Sequence, residues 1–109
     1  MKYHITKSKI NKVVLRYLDD KNFVMGNGKN YVFFVNSEDD KYAQIIYIPF
    51  YEKCYLHFEL VDEISSFFDL DSFYSKQYIS DWVEKTLGSD VRTYHESGVN
   101  IPVSDMKIK

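Results

Sequence analysis

The hydrophobic pattern near the start of the chain is helical. Between residues 8 and 20 the apolar side chains recur with the i, i+3, i+4 spacing of one helix face, at Ile10, Val13, Val14, Tyr17 and Leu18. The basic residues Lys9, Lys12 and Arg16 fall together on the opposite face. This pattern predicts a helix over residues 8–20 with one apolar and one basic side.

Four strand-like segments follow, each bounded by turn-forming residues. They cover residues 23–25, 31–35, 42–48 and 54–60. Gly26-Asn27-Gly28 predicts a tight hairpin turn between the first two, because Asn-Gly accepts the positive φ values of such a turn. Pro49 ends the third segment. Short connections between successive strands predict an antiparallel meander.

The fourth strand has the sharpest alternation of apolar and polar side chains. Its apolar residues point to the core and its polar or amphipathic residues point away; the inward set is Cys54, Leu56, Phe58 and Leu60, and the outward set is Tyr55, His57 and Glu59. On the third strand two parities are open. Either Tyr47 shares the outer face with Ala43 and Ile45, or Tyr42 shares it with Gln44, Ile46 and Ile48.

After the strands the hydrophobic period becomes helical again. A short helix is predicted within residues 60–68, and a longer one over residues 73–87 with a buried stripe of Tyr78, Ile79, Trp82, Val83 and Leu87. Asp71 or Ser72 is the expected N-cap, and Gly88 is placed to end the helix in a left-handed conformation. Residues 90–95 are a candidate last strand, and residues 97–109 are expected to trail along an edge or to fray.

These elements predict an α+β fold, in which a four-stranded antiparallel meander packs against an N-terminal helix and a long C-terminal helix. The 109 residues, 45% hydrophobic and 28% charged, suit one globular domain over residues 1–109. No apolar run approaches the roughly 18–20 residues of a membrane span. We therefore expect a soluble, cytoplasmic protein.

Chemically reactive residues form no recognisable motif. The three histidines His4, His57 and His95 are far apart, and Cys54 is the single cysteine, so no familiar metal-ligand spacing is present. Cys54 also lies at an inward strand position, where a thiol is unreactive. There is no phosphate-binding glycine loop and no nucleophile elbow. The sequence predicts a protein that is not an enzyme and needs no metal or cofactor.

Charge is distributed unevenly along the chain. Basic residues dominate before residue 36, and acidic residues dominate from 36 to 88. The stripe of Lys9, Lys12 and Arg16 could bind phosphates, which makes nucleic-acid binding the alternative function. The acidic remainder and the sequence pI of about 5.9 argue against it.

Three segments resemble a group of short, uncharacterised bacteriophage proteins: NSEDDKYAQI at 36–45, DEISSFF at 62–68 and WVEKTL at 82–87. The group has no assigned activity, so the resemblance assigns no functional residue. It implies a phage-type context in the host cytoplasm. Small proteins in that context often bind host or defence proteins.

The expected function is therefore a non-catalytic protein-binding module that modulates or inhibits a host or defence protein. Ten tyrosines and an aromatic content of 17% favour a recognition surface. The face of the sheet opposite the helices is the expected binding site, with Tyr47, Tyr55, His57 and Glu59 as its candidate residues. The competing expectation is that a second copy covers this face in a homodimer.

Overall fold

The computed structural model describes residues 7–36, 42–97 and 107–108. In these residues the chain forms three α-helices, one 3₁₀ turn and six strands, of which the last has only two residues. The elements in chain order are α1 (Lys7–Asp20), β1 (Val24–Asn27), β2 (Val32–Val35), β3 (Ile45–Ile48), the 3₁₀ turn (Pro49–Tyr51), β4 (Lys53–His57), α2 (Phe58–Phe68), α3 (Ser72–Leu87), β5 (Thr93–Ser97) and β6 (Lys107–Ile108).

The predicted α+β class is confirmed, and the sheet is mixed rather than purely antiparallel. The strands lie in the order β5-β4-β3-β2-β1-β6, and β1 to β4 are antiparallel neighbours, as the meander requires. The strand β5 runs parallel to β4. This is possible because α2 and α3 form a crossover connection between the two strands.

The opposite edge of the sheet is formed by β6, which pairs with Gly26 and Asn27 of β1. The expected tail begins with Ser97, which instead ends β5. The remainder of that expectation, for residues 98–106 and Lys109, lies outside the described residues.

The β1–β2 hairpin is present, but its turn is not where Asn-Gly predicts it. Gly26 and Asn27 belong to β1, where they pair with Phe33 and Val32. The turn falls on residues 28–31 and is closed by a 2.8 Å hydrogen bond from the Gly28 amide to the Tyr31 carbonyl. Gly28 has no positive φ. It is small for another reason: a Cβ there would overlap the Tyr31 ring.

The fourth strand is shorter than its alternation predicts, because a helix begins at Phe58. The side chain of His57 caps this helix, since its Nδ1 accepts a 3.1 Å hydrogen bond from the Glu59 amide. A helix start at this point buries an apolar stripe against the core: Leu60, Val61, Ile64 and Phe68. The predicted inward position of Phe58 and the predicted strand position of Glu59 are therefore wrong.

The principal core lies between the helices and one face of the sheet. Trp82 of α3 is 4% exposed, and its ring centroid lies 5.1 Å from that of Phe34 and 5.4 Å from that of Phe23. Its indole Nε1 donates a 2.8 Å hydrogen bond to Oδ1 of Asp19 at the end of α1. The predicted long helix, with Trp82 at its centre, is confirmed.

Both predicted ends of α3 are also confirmed. The Asp71 side chain accepts a 3.0 Å hydrogen bond from the Tyr74 amide, as an N-cap does. Gly88 has a φ of 65°, and its amide bonds to the Glu84 carbonyl. Local capping chemistry therefore fixes the length of this helix.

The other face of the sheet is not the open, tyrosine-bearing surface that the sequence predicts. It carries a second apolar cluster, in which four residues are buried: Phe33, Val35, Ala43 and Ile46. The partly buried residues Val24, Tyr31, Ile48 and Tyr55 pack against this cluster. The reason is that β2 and β3 are apolar at successive positions, so they supply hydrophobic side chains to both faces.

Candidate functional site

Of the four candidate binding residues, Tyr55 lies on the predicted face and Tyr47 does not. Tyr55 pairs with Ile46, and the second of the two parities therefore holds for Ile46 and Ile48 within β3. Ala43 precedes the strand and lies in the same cluster, which this parity does not predict. Tyr47 instead packs in the principal core at 2% exposure, and its hydroxyl donates a 2.7 Å hydrogen bond to the Asp90 carbonyl. The prediction that Tyr47 belongs to a binding surface is corrected accordingly, because its hydroxyl finds a partner inside the fold.

Glu59 is separated from Tyr55 by the start of α2, whereas His57 is the last residue of β4 and is buried, so its predicted exposure on the outer face is wrong. His57 is 4% exposed and its imidazole is stacked on the Phe58 ring at 4.8 Å. Glu59 is exposed in the first turn of the helix. The structure thus does not bring the four candidates together. Another histidine, His95 of β5, lies beside Tyr55 with 6.0 Å between the ring centroids.

The basic side of α1 is arranged as predicted. Lys9, Lys12 and Arg16 are all exposed on the face of α1 turned away from the core. The opposite side of the helix packs against α3, where the Asn11 amide donates a 3.1 Å hydrogen bond to Asp81. The three cations therefore remain available to solvent and to phosphates.

Two turns at one end of the sheet enclose a cleft of about 790 Å³. One wall is the β1–β2 turn, and the other is the 3₁₀ turn between β3 and β4. We call this the aromatic cleft, and its lining residues are Asn27, Gly28, Lys29, Asn30, Tyr31, Val32, Ile48, Pro49, Phe50 and Tyr51. A volume of this size matches ordinary ligand-binding clefts of roughly 300–1,000 Å³.

Two aromatic rings in the 3₁₀ turn are unusually exposed. Phe50 is 83% exposed and Tyr51 is 66% exposed, and the rings contact each other edge to face with centroids 4.9 Å apart. Neither ring belongs to the two buried clusters of the described residues. They are presented to solvent in the folded chain.

The backbone of this turn is fixed at both ends. Pro49 begins it, and the Glu52 amide closes it with a 3.1 Å hydrogen bond to the Pro49 carbonyl. Glu52 then takes a left-handed conformation with a φ of 50°. Its carbonyl accepts a 2.6 Å hydrogen bond from the Arg92 amide, and its carboxylate binds the Arg92 guanidinium at 3.0 Å. Because these bonds restrain the backbone of the turn, little backbone conformational entropy is lost when a partner binds the two rings.

The facing wall adds one ring and three polar side chains. Tyr31 is half-buried, and it packs against the second apolar cluster while lining the cleft. Lys29 and Asn30 are exposed on the turn, and Asn27 is half-buried at the end of β1. The cleft therefore combines an apolar floor with polar groups at one side.

Sequence reasoning missed Phe50 and Tyr51 as functional residues. Their position was visible, since both fall between Pro49 and the polar pair Glu52-Lys53, where a connection between two strands is expected. Two large apolar residues in such a connection are a signal of a binding site, because turns are usually polar. No sequence signal shows that the 3₁₀ turn and the β1–β2 turn line one cleft, since the two turns are about twenty residues apart.

The described residues contain no reactive cluster at or near this cleft. No three histidine, cysteine, aspartate or glutamate side chains among them are grouped so as to hold a metal ion. Cys54 is buried, and burial raises the pKa of its thiol to about 12. The predicted inward position of Cys54 is confirmed, and the thiol is neutral at physiological pH.

Comparison with protein-family models, with curated proteins and with solved structures finds no match to this chain. None of the helices in the described residues combines the length and the apolar character of a membrane span.

Proposed function

We propose that this protein is a non-catalytic protein-binding module and that the aromatic cleft is its docking surface. The observation that carries the proposal is the exposure of Phe50 and Tyr51 on a restrained turn. Large exposed apolar side chains that are grouped, rather than scattered, mark interaction sites in folded proteins. Aromatic rings held in a fixed geometry are also the side chains that most often anchor protein interfaces.

Residues packed on the sheet form part of the cleft lining. Ile48 and Tyr31 line the cleft and also pack against the second apolar cluster, so the two residues connect the cleft to the sheet. A partner side chain entering between the two turns would meet apolar surface on several sides. This arrangement suits a protruding apolar side chain of another protein.

The proposed partner is a host or defence protein of a phage-infected bacterium. The support for this is the resemblance of three segments to short phage proteins. A protein with this role would act in the host cytoplasm as a modulator or inhibitor, by occupying a surface of its target.

Site-specific photo-crosslinking tests the proposal. p-Benzoylphenylalanine at position 51 places the reactive group in the cleft, and the same residue at position 73 is the matched control. Phe73 is 59% exposed on α3, so both positions tolerate a large aromatic side chain. After expression and illumination in bacterial cells, we expect a discrete heterologous adduct at position 51 that is absent at position 73.

Two outcomes would contradict the proposal. Identical adducts at positions 51 and 73 would show that exposed rings of this protein crosslink without selectivity. An adduct at position 51 that contains only a second copy of this chain would favour the homodimer, whose function would then lie elsewhere.

A further inference from the structure

The described lining of the aromatic cleft carries positive charge. Among the described residues that line it, Lys29 carries the only charge. Lys53 stands beside the cleft, because it pairs with Ile48 across the sheet. Glu52, which directly follows the 3₁₀ turn, has its carboxylate bound to Arg92 at 3.0 Å. In the part of the chain that the structure describes, two lysines therefore flank the cleft, and the carboxylate of Glu52 beside it is paired with a cation.

The acidic residues of the described chain are concentrated elsewhere. Most of them lie on α2, on α3 or on the short connection between these helices: Glu59, Asp62, Glu63, Asp69, Asp71, Asp81 and Glu84. These helices pack against the face of the sheet opposite Lys53 and Tyr55. An acidic partner segment would thus be attracted to the cleft end and repelled by α2 and α3.

The side chain of Lys53 contacts the Tyr55 ring. Its Nζ lies 5.4 Å from the centroid of the Tyr55 ring, within the range of a cation–π contact. The side chain is half-buried, so its position is more restricted than that of a solvated lysine. Lys29, by contrast, is exposed on its turn and can adjust to a ligand.

We propose that the aromatic cleft binds a peptide segment of the partner in which an aromatic side chain is flanked by carboxylates. This inference rests on the proposed function and names the chemistry that the same site selects. The ring of the partner enters among Tyr31, Phe50 and Tyr51, and the flanking carboxylates lie near Lys29 and Lys53. Complementary charge at the rim then fixes the orientation of the segment and disfavours basic partners.

A nucleotide also combines a flat ring with negative charge, but the charges favour the peptide. Nucleic-acid binding draws its affinity from several phosphate contacts made together. The cleft offers two lysines, and the whole chain has a formal net charge of −2. Two lysines can balance the charge of one or two carboxylates, but they cannot balance the charge of several phosphates.

Titration of the ¹⁵N-labelled protein with capped tripeptides, followed by NMR, tests the inference. The probes are Asp-Phe-Asp, the charge control Lys-Phe-Lys, the ring control Asp-Ala-Asp and uridine monophosphate. We expect saturable amide shifts in residues 27–32 and 48–51 with Asp-Phe-Asp. Lys29→Ala should weaken this binding about two- to fivefold, as removal of one exposed ion pair does, and added salt should weaken it similarly.

Lys85→Ala is the matched control, because Lys85 is an exposed lysine in the last turn of α3. It should leave the affinity unchanged. Equal affinity for Lys-Phe-Lys or for Asp-Ala-Asp would overturn the inference, as would tighter binding of uridine monophosphate or the absence of saturable shifts with every probe. A heterologous crosslink at position 51 that persists in Lys29→Glu would leave the proposed function standing and refute the acidic preference alone.

Discussion

The hydroxyl of Tyr17 donates a 2.6 Å hydrogen bond to Oε2 of Glu63 and so joins α1 to α2. The same oxygen accepts a 2.7 Å bond from Nζ of Lys21. The bond to Glu63, followed by burial and the charge of Glu63, raises the pKa of Tyr17 to about 12. Burial alone would raise the pKa of Glu63, but the bonds from Lys21 and Tyr17 outweigh it and hold that pKa below its ordinary value.

Tyr17→Phe should lower the free energy of unfolding by about 1 kcal/mol, because it removes one hydrogen bond to a charged acceptor at a partly exposed site. Denaturant melts at pH 7 measure the change. Tyr51→Phe is the control, since its hydroxyl lies on an exposed ring, and it should have no measurable effect. An equally large loss of unfolding free energy in Tyr51→Phe would show that the lost bond to Glu63 does not cause the effect of Tyr17→Phe.

The carboxylate of Glu63 should make stability depend on pH in acid. Since its pKa is lower in the folded chain than in the unfolded chain, its stabilising contribution is complete above the unfolded value of about 4.3. That contribution is lost as pH falls through the folded pKa. The difference in unfolding free energy between wild type and Glu63→Gln should therefore shrink below about pH 4. A difference that is constant from pH 7 to pH 3 would contradict this.

Asp81 should behave in the opposite way. Burial, with the nearby charge of Glu84, raises its pKa, although the bond from Asn11 acts against the rise. A raised folded pKa means that the contribution of Asp81 to stability is lost as pH increases. Asp81→Asn keeps an acceptor for Asn11 and removes the charge, so it should stabilise the protein at pH 7 by about 0.5 kcal/mol. The gain should vanish in acid. Thermal melts of wild type and Asp81→Asn at pH 7 and in acid measure it, and equal stability of the two proteins at pH 7 would contradict the prediction.

Trp82→Ala should destabilise the protein by about 3–5 kcal/mol, because it opens a cavity between Phe23 and Phe34 and leaves Asp19 without its indole donor. Trp82→Phe retains most of the volume and should cost clearly less. Denaturant melts compare the two variants. A loss under about 1 kcal/mol for Trp82→Ala would be incompatible with the burial of this ring.

The two described turn glycines should respond to alanine for different reasons. Gly88→Ala places a Cβ in a left-handed residue with open space around it, so it should cost about 1 kcal/mol of backbone strain. Gly28→Ala has no such strain, but its Cβ would overlap the Tyr31 ring. It should cost about 1–3 kcal/mol in wild type and much less in Tyr31→Ala. Equal costs in both backgrounds, measured by a double-mutant cycle, would rule out the ring as the cause.

Elements with local signals were predictable from the sequence. The helix α3 combines a 3.6-residue hydrophobic period with an N-cap at Asp71 and a glycine at position 88, and each signal lies within the helix or next to it. The end of β4 was not predictable in this way. Alternation over residues 54–60 fits a strand, whereas the structure begins a helix at Phe58 that the His57 side chain caps.

Non-local features escaped prediction for a different physical reason. The face on which Tyr47 lies is undetermined by its own strand, because Ile45, Ile46, Tyr47 and Ile48 are all apolar. The parallel pairing of β5 with β4 depends on how α2 and α3 pack, because these helices connect the two strands. The aromatic cleft depends on two turns that meet only in the folded sheet, so no single segment predicts it.

The bond between Arg92 and Glu52 has a consequence for the order of folding. The two residues are 40 positions apart, whereas the β1–β2 turn closes over four residues. Loop-closure entropy rises with length, and the longer loop is closed only after α2 and α3 have ordered the chain between its ends. Both walls of the cleft can therefore form early, because the Phe50–Tyr51 turn is also closed locally by the Glu52–Pro49 bond, whereas the Arg92 bonds that restrain this turn form late. Transient detachment of β5 would remove that restraint, so amide hydrogen exchange in β5 should report how often the Phe50–Tyr51 turn loses it in the native state.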